Sequence, residues 1–253
     1  MTENTRELAI VSLYPKDMNI YGDTGNVKTI ALRARLYGYE PRIYKYNVGD
    51  AWPEHVDLVL GGGGQDKGQA AISDDLFARS QKIHELAQAG VPMLLICGLY
   101  QLFGEYFETN EGVRLPGINV LGVHTVGQDT RMIGNLVEHN AQCGTIVGYE
   151  NHSGQTFVHD DGTEPWAEVK ADGTGNNGVD HTEGARKYNV IGTYMHGSVL
   201  PKNPQLADLL IRKAAEHRYG NFEPISTVEQ AEELNRLNAM AKAAAQVAAS
   251  RPR

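Results

Sequence analysis

Val91-Pro92-Met93-Leu94-Leu95-Ile96-Cys97-Gly98-Leu99-Tyr100-Gln101-Leu102-Phe103-Gly104 is an apolar run that meets a Cys-Gly pair and continues at once with helical spacing. Read as strand, sharp turn and helix, it predicts a nucleophile elbow that lifts the Cys97 sulfur above a sheet. Gly98 removes the side chain that would crowd the turn. The amides of the helix's first turn are expected to favour a thiolate at Cys97, and the Gly98 N–H can also meet an oxyanion. A cysteine closing an apolar run is equally the signature of inert core, and it is the abrupt Cys-Gly ending that favours the reactive reading.

Around this stretch the pattern alternates. Glu7–Leu13 predicts a strand, and the turn-rich Tyr21-Gly22-Asp23-Thr24-Gly25-Asn26 feeds a helical pattern through Val27, Ile30, Ala31, Ala34 and Tyr37 that Gly38 stops. Pro41–Tyr46 and Asp57–Leu60 predict two more strands, the second running into Gly61-Gly62-Gly63-Gly64, and a helix is expected over 74–89. Strands alternating with helices imply a mostly parallel sheet with helices on both faces, where function gathers at the carboxyl ends of strands. From Gly112 to Thr193 the apolar runs shorten, as in Thr145–Tyr149 and Gln155–Val158, and the expectation is a β-rich, partly antiparallel region. Asp172–Gly178 predicts an exposed loop. Pro204–His217 is helical, and an Ala-rich helix follows over 226–250, with a capping box expected from Ser226 and Glu229. The expected division is an α/β domain over 1–220 and a C-terminal helical extension over 221–253.

Composition narrows the function classes. In 253 residues, 41% are hydrophobic and 21% charged, which fits a globular protein with a sizeable core. The 23 basic and 31 acidic residues leave a net charge of −8, which argues against nucleic acid as a partner. Two cysteines cannot build a disulfide framework, and no apolar run has a membrane span's length. The polar N-terminus has no signal-peptide stretch, so a cytoplasmic location is expected.

A thiol nucleophile needs a base. Of nine histidines, His196 stands apart, because it closes the strand pattern Val190–Met195 and precedes Gly197, at another strand end on the same rim. The glycine run at 61–64 lacks the endings of phosphate and dinucleotide loops, so its use is close backbone approach, with amides that complete an oxyanion hole. Cys143 reads as packing, and paired metal ligands at helical spacing are absent.

Taken together, the elbow at Cys97, the glycine loop and Gly192-Thr193-Tyr194-Met195-His196-Gly197 resemble class I glutamine amidotransferases of the cobyric acid synthase type. Agreement is closer with the glutaminase subunit of lipid II isoglutaminyl synthase, through Tyr21–Asn26, Gly63-Gly64-Gln65-Asp66, Ile96–Gly104, Gly148-Tyr149-Glu150-Asn151-His152-Ser153-Gly154 and Leu200-Pro201-Lys202-Asn203-Pro204. The resemblance implies a single class I amidotransferase-like α/β domain with Cys97 as nucleophile and His196 as base. It further implies an oxyanion hole from Gly63, Gly64 and Gly98, and Arg131 as the group that holds the substrate α-carboxylate, with Gln101 a second substrate contact. It implies L-glutamine as substrate and ammonia passed to a Mur-ligase-like partner that amidates the D-glutamate of the lipid II stem peptide. No cofactor or metal is expected in this chain, and ATP and magnesium belong to the partner.

One departure stands out. Many relatives carry a Glu two positions after the histidine, where this chain has Ser198. Glu150 is a candidate substitute, and a buried structural hydrogen bond is the competing reading. Two other functions stay open at this point. A stand-alone cysteine hydrolase of γ-glutamyl compounds would use the same elbow, and a non-catalytic regulatory subunit would explain the missing acid.

Overall fold

The computed structural model describes residues 6–196 and 198–251, so Gly197 of the His-Gly pair lies outside the described residues. The first strand, β1 (Arg6–Leu13), is followed by α1 (Thr24–Leu36), β2 (Tyr39–Tyr46) and β3 (Leu58–Gly61). Val27, Ile30, Ala31 and Ala34 give α1 its buried stripe, and Gly38 takes a φ of +80° where the helix stops. Next come α2 (Asp66–Ala78) and α3 (Ser80–Gln88). The single helix expected over 74–89 is therefore two: one starts eight residues earlier, at Asp66, and they meet at Arg79, whose N–H still bonds Asp75 and Leu76.

Strand β4 (Met93–Ile96) runs straight into α4 (Gly98–Leu102). All four β4 residues are buried, as a central parallel strand covered on both faces requires. The β-rich part holds β5 (Tyr106–Glu108), β6 (Arg114–Pro116), β7 (Val123–Asn140), β8 (Gly144–Val158), β9 (Glu164–Val169), β10 (Thr182–Lys187) and β11 (Val190–Thr193). The apolar runs 145–149 and 155–158 both belong to β8, which pairs with β7 in one long antiparallel hairpin, as a β-rich and partly antiparallel region is expected to do. Helices α5 (Val199–Lys202), α6 (Pro204–Tyr219) and α7 (Val228–Ala249) complete the chain. The capping box sits one residue later than expected: Thr227 accepts the Gln230 N–H, and the Gln230 side chain accepts the Thr227 N–H.

The strands form one sheet in the order β2-β1-β3-β4-β11-β10-β9-β7-β5-β6, with β8 on β7. From β2 to β11 every pairing is parallel. Beyond β11 the sheet turns antiparallel, through β10, β9 and the β7–β8 hairpin. The carboxyl ends of β1, β3, β4 and β11 thus lie side by side, next to the point where strand order reverses, and open-sheet proteins place ligands there. Behind the sheet, Arg33 of α1 makes a two-pronged pair with Asp208 of α6, both bonds at 2.7 Å, and reaches Asn238 of α7. This buried guanidinium ties three helices together, and removing one partner of such a pair costs about 3–5 kcal/mol.

Asp172–Gly178, expected as an exposed loop, is partly interior: Thr174, Asn176 and Asn177 are buried. Polar side chains replace apolar anchors here. Asn176 bonds the Gly184 carbonyl and accepts from the Tyr100 hydroxyl, while Asn177 donates to the Thr156 carbonyl.

Candidate active site

Cys97 occupies the residue between β4 and α4 with φ +50° and ψ −103°. A non-glycine residue there costs roughly 1–3 kcal/mol, a strain that the buried β4 strand and the Cys97 N–H bond to the Thr193 carbonyl hold in place. His196 sits three residues past the end of β11, with its backbone N–H on the Tyr149 carbonyl of β8 at 2.7 Å. Gly63 lies between the two side chains. A Cβ built on Gly63 would stand 2.6 Å from His196 Cε1 and 3.3 Å from Cys97 Cβ, so only glycine lets the loop lie this close to both.

The glycine loop is pinned. The Gly63 N–H donates to Asp23 Oδ2 at 2.8 Å and the Gly63 carbonyl accepts from the Ile20 N–H. Of the three residues expected to form the oxyanion hole, Gly63 therefore has its amide committed to Asp23, while Gly98 directs its N–H to the Cys97 sulfur. Asp23 has no assigned role in the sequence motif; the signal it offers is an acid in a glycine-flanked turn ahead of a helix that it does not cap with its side chain.

Electrostatics correct the expectation of a resting thiolate. Burial pushes the Cys97 thiol up to about 12, the Asp23 carboxylate adds to the rise, and the Gly98 amide opposes it too weakly. Burial likewise holds His196 down to about 3, assisted by His152 and Arg131. Thiol and imidazole are both neutral at rest, with the imidazole in the form that can accept a proton. Neither ring nitrogen of His196 has a hydrogen-bond partner among the described residues. Ser198, where many relatives carry an acid, donates its hydroxyl to the Gly22 carbonyl. Glu150 is fully buried, accepts the Gly175 N–H at 2.9 Å and lies 3.7 Å from His152 Nε2, which is the structural arrangement weighed against an orienting role.

A cleft of about 740 Å³, within the range of small-molecule sites, opens over Cys97. Its walls include Tyr21, Gly64, Gln65, Gln101, Arg131 and Asn151. Arg131 comes from the far half of the sheet. Between the pairs Gly127–Gly154 and Met132–His152, residues 128–131 of β7 face Ser153 alone, a bulge that turns Arg131 towards the cleft. Its Nε donates to Asn151 Oδ1 at 2.7 Å. Gln101 forms part of the floor, its carbonyl accepting from Gln69 at 2.6 Å and its amide donating to the Tyr194 hydroxyl at 3.1 Å. Cys143 stands apart from the cleft, half-buried, with its thiol raised to about 11 by burial. Among the described residues no cluster of three or more His, Cys, Asp or Glu is placed to hold a metal, and no helix is long and apolar enough to cross a membrane.

Subunit GatD of the glutamine-hydrolysing lipid II isoglutaminyl synthase of Staphylococcus aureus is 35% identical over 89% of this chain and 92% of that protein. The Streptococcus pneumoniae subunit of the same name is 37% identical over 90% and 91%. A crystal structure of a glutamine amidotransferase superposes with a TM-score of 0.55 at 12% identity, covering 81% of this chain and 98% of that one, so it speaks for the fold alone. Residues 9–204 match the CobB/CobQ-like glutamine amidotransferase domain, and the chain belongs to that family.

Proposed function

We propose that the chain is the glutaminase subunit of a lipid II isoglutaminyl synthase, releasing ammonia from L-glutamine for a separate synthetase. The observation that carries the chemistry is Gly63 wedged between Cys97 and His196 at adjoining strand ends. In this reading Arg131 pairs its guanidinium with the glutamine α-carboxylate, which directs the side-chain amide across the cleft towards Cys97. As the sulfur attacks the amide carbon, its proton passes to His196. Neutral partners suit this step, because the ion pair forms only when the substrate has displaced water and the new oxyanion needs its donors.

Gly98 gives its N–H to the oxyanion once the thiol has become a thioether sulfur. Gly64, in the glycine loop, is the second donor, and its neighbour Gly63 serves by its lack of a side chain. His196 then protonates the departing nitrogen, ammonia leaves, and a thioester remains on Cys97. Water, deprotonated by His196, attacks the thioester and releases glutamate. The names of the two GatD relatives support a role as the glutamine-hydrolysing subunit of a lipid II isoglutaminyl synthase. In the proposed reading, ammonia goes to a Mur-ligase-like partner that binds ATP and magnesium and amidates the D-glutamate of lipid II. A cytoplasmic site of action follows from that role.

The test is ammonia release by Cys97→Ser. A hydroxyl is a far weaker nucleophile at neutral pH, so turnover falls by at least about a thousandfold while the fold is kept. Ammonia release near the wild-type rate removes Cys97 from the mechanism. Amidation of lipid II by wild-type chain plus the synthetase, with glutamine as sole nitrogen source, tests the wider role.

A further inference from the structure

Tyr21 and Asn151 are left without a part in this chemistry, yet they join its two ends. Arg131 Nε donates to Asn151 Oδ1 at 2.7 Å, and Asn151 Nδ2 donates to the Tyr21 hydroxyl at 2.7 Å. An arginine can only donate, so the Asn151 amide has one orientation: oxygen to Arg131, nitrogen to Tyr21. The Tyr21 ring then meets the His196 ring edge to face, with centroids 4.5 Å apart and planes at 69°. Among the described residues His196 has no hydrogen-bond partner at either ring nitrogen, and its ring rests on packing, with Tyr21 and the Gly63 backbone among its contacts.

The geometry points to Tyr21 and Asn151 as positioning residues that tie capture of the substrate carboxylate at Arg131 to the pose of the His196 ring. Holding Arg131 by Nε leaves its two terminal nitrogens for a carboxylate, the fork that bidentate pairing needs. An exposed arginine without that anchor samples many rotamers, and each must be frozen when substrate binds. At the other end, a shift of Asn151 moves the Tyr21 hydroxyl and, through the rigid ring, the face against which His196 rests. The bonds span the two halves of the sheet, since Asn151 lies on β8 and Tyr21 on the loop after β1. This inference rests on the glutaminase reading above.

Saturation kinetics of Cys97 alkylation in the full chain, with a chloroketone analogue of glutamine, separate binding from chemistry, and iodoacetamide serves as the control reagent. Tyr21→Phe deletes the hydroxyl and keeps the ring. It is expected to raise the half-saturating analogue concentration roughly three- to tenfold, the worth of one hydrogen bond, with the limiting rate within about twofold. Tyr21→Ala, which also removes the ring, is expected to lower the limiting rate by about tenfold or more. Arg131→Ala combined with Tyr21→Phe should bind the analogue no more weakly than Arg131→Ala alone, because the relay then has nothing to orient. Wild-type binding strength in Tyr21→Phe, or effects that multiply fully in the double variant, would overturn the relay and leave the glutaminase reading intact. If wild-type Cys97 shows no saturable preference for the analogue over iodoacetamide, the glutaminase reading fails first and the relay with it.

Discussion

Nucleophile and arginine reach the same cleft from two differently built halves of the sheet. In the parallel half, β1, β3, β4 and β11 deliver the Asp23 loop, the glycine loop, Cys97 and His196 from neighbouring carboxyl ends. Each of these groups is fixed by backbone: a strained φ at Cys97, a peptide held at both faces at Gly63, an N–H on Tyr149 at His196. In the antiparallel half, Arg131 and Asn151 project from a long hairpin and are fixed by side chains, through a bulge and one bond to each other. Reacting atoms need placement to a fraction of an ångström, which strand ends give; recognition of a carboxylate tolerates a side chain that adjusts.

The contrast breaks most visibly at Gly63. Gly63→Ala puts a methyl carbon within 2.6 Å of His196 Cε1, and the ring, with no hydrogen bond to hold it among the described residues, swings away. A displacement near 1 Å costs on the order of a hundredfold in kcat, with the glutamine KM little changed. A kcat within threefold of wild type would show that the parallel half is not rigid in the sense argued. On the other side, Arg131→Ala is expected to raise KM about ten- to a hundredfold, the loss of a charge-assisted pair, while the rate of Cys97 alkylation by iodoacetamide stays within about threefold. Equal losses in KM and thiol reactivity would mean that the two halves do not divide the work.

The same contrast explains what could be read in the sequence. The parallel half was legible because its signals are local: four buried residues before Cys-Gly, a glycine run after Leu60, an amphipathic α1. What escaped reading depends on partners far apart in the chain. The 172–178 segment looks like loop by composition, and only the carbonyls of Gly184 and Thr156 make its asparagines interior. The apolar runs within long β7 and β8 are short because their faces alternate between core and polar surroundings. Glu183 is fully buried on β10, where it accepts the Thr193 hydroxyl and the Tyr194 N–H, a use of acid that no spacing announces. Resting protonation was misjudged for the same reason, since the helix-end effect on Cys97 is visible in sequence and its burial is not. The glycine run that reads as free backbone is held at Gly63 by Asp23, 40 residues away in the chain, and by Ile20 beside it.

Asp23 sharpens the comparison with the smallest expected effect on turnover, because it belongs to the rigid half and its carboxylate bonds the Gly63 N–H of the loop. Burial raises its carboxyl to about 6, against the Gly63 N–H that lowers it. A carboxyl raised in the folded state holds its proton more tightly there than in the unfolded chain. Stability from this group is therefore full below about pH 4 and is lost as pH rises through 6, by at most about 3 kcal/mol for a rise of about two pH units. Asp23→Asn keeps an oxygen for the Gly63 N–H and removes the charge. Its stability, followed as the urea midpoint from pH 4 to pH 8, is expected to fall less than that of wild type over the same range. Its Cys97 should be alkylated a few-fold faster at pH 8, because the carboxylate that discourages a thiolate is gone. Parallel stability curves for the two proteins would show that the Asp23 carboxyl does not hold its proton more tightly in the fold, leaving the hydrogen bond to the Gly63 N–H as its contribution to the loop.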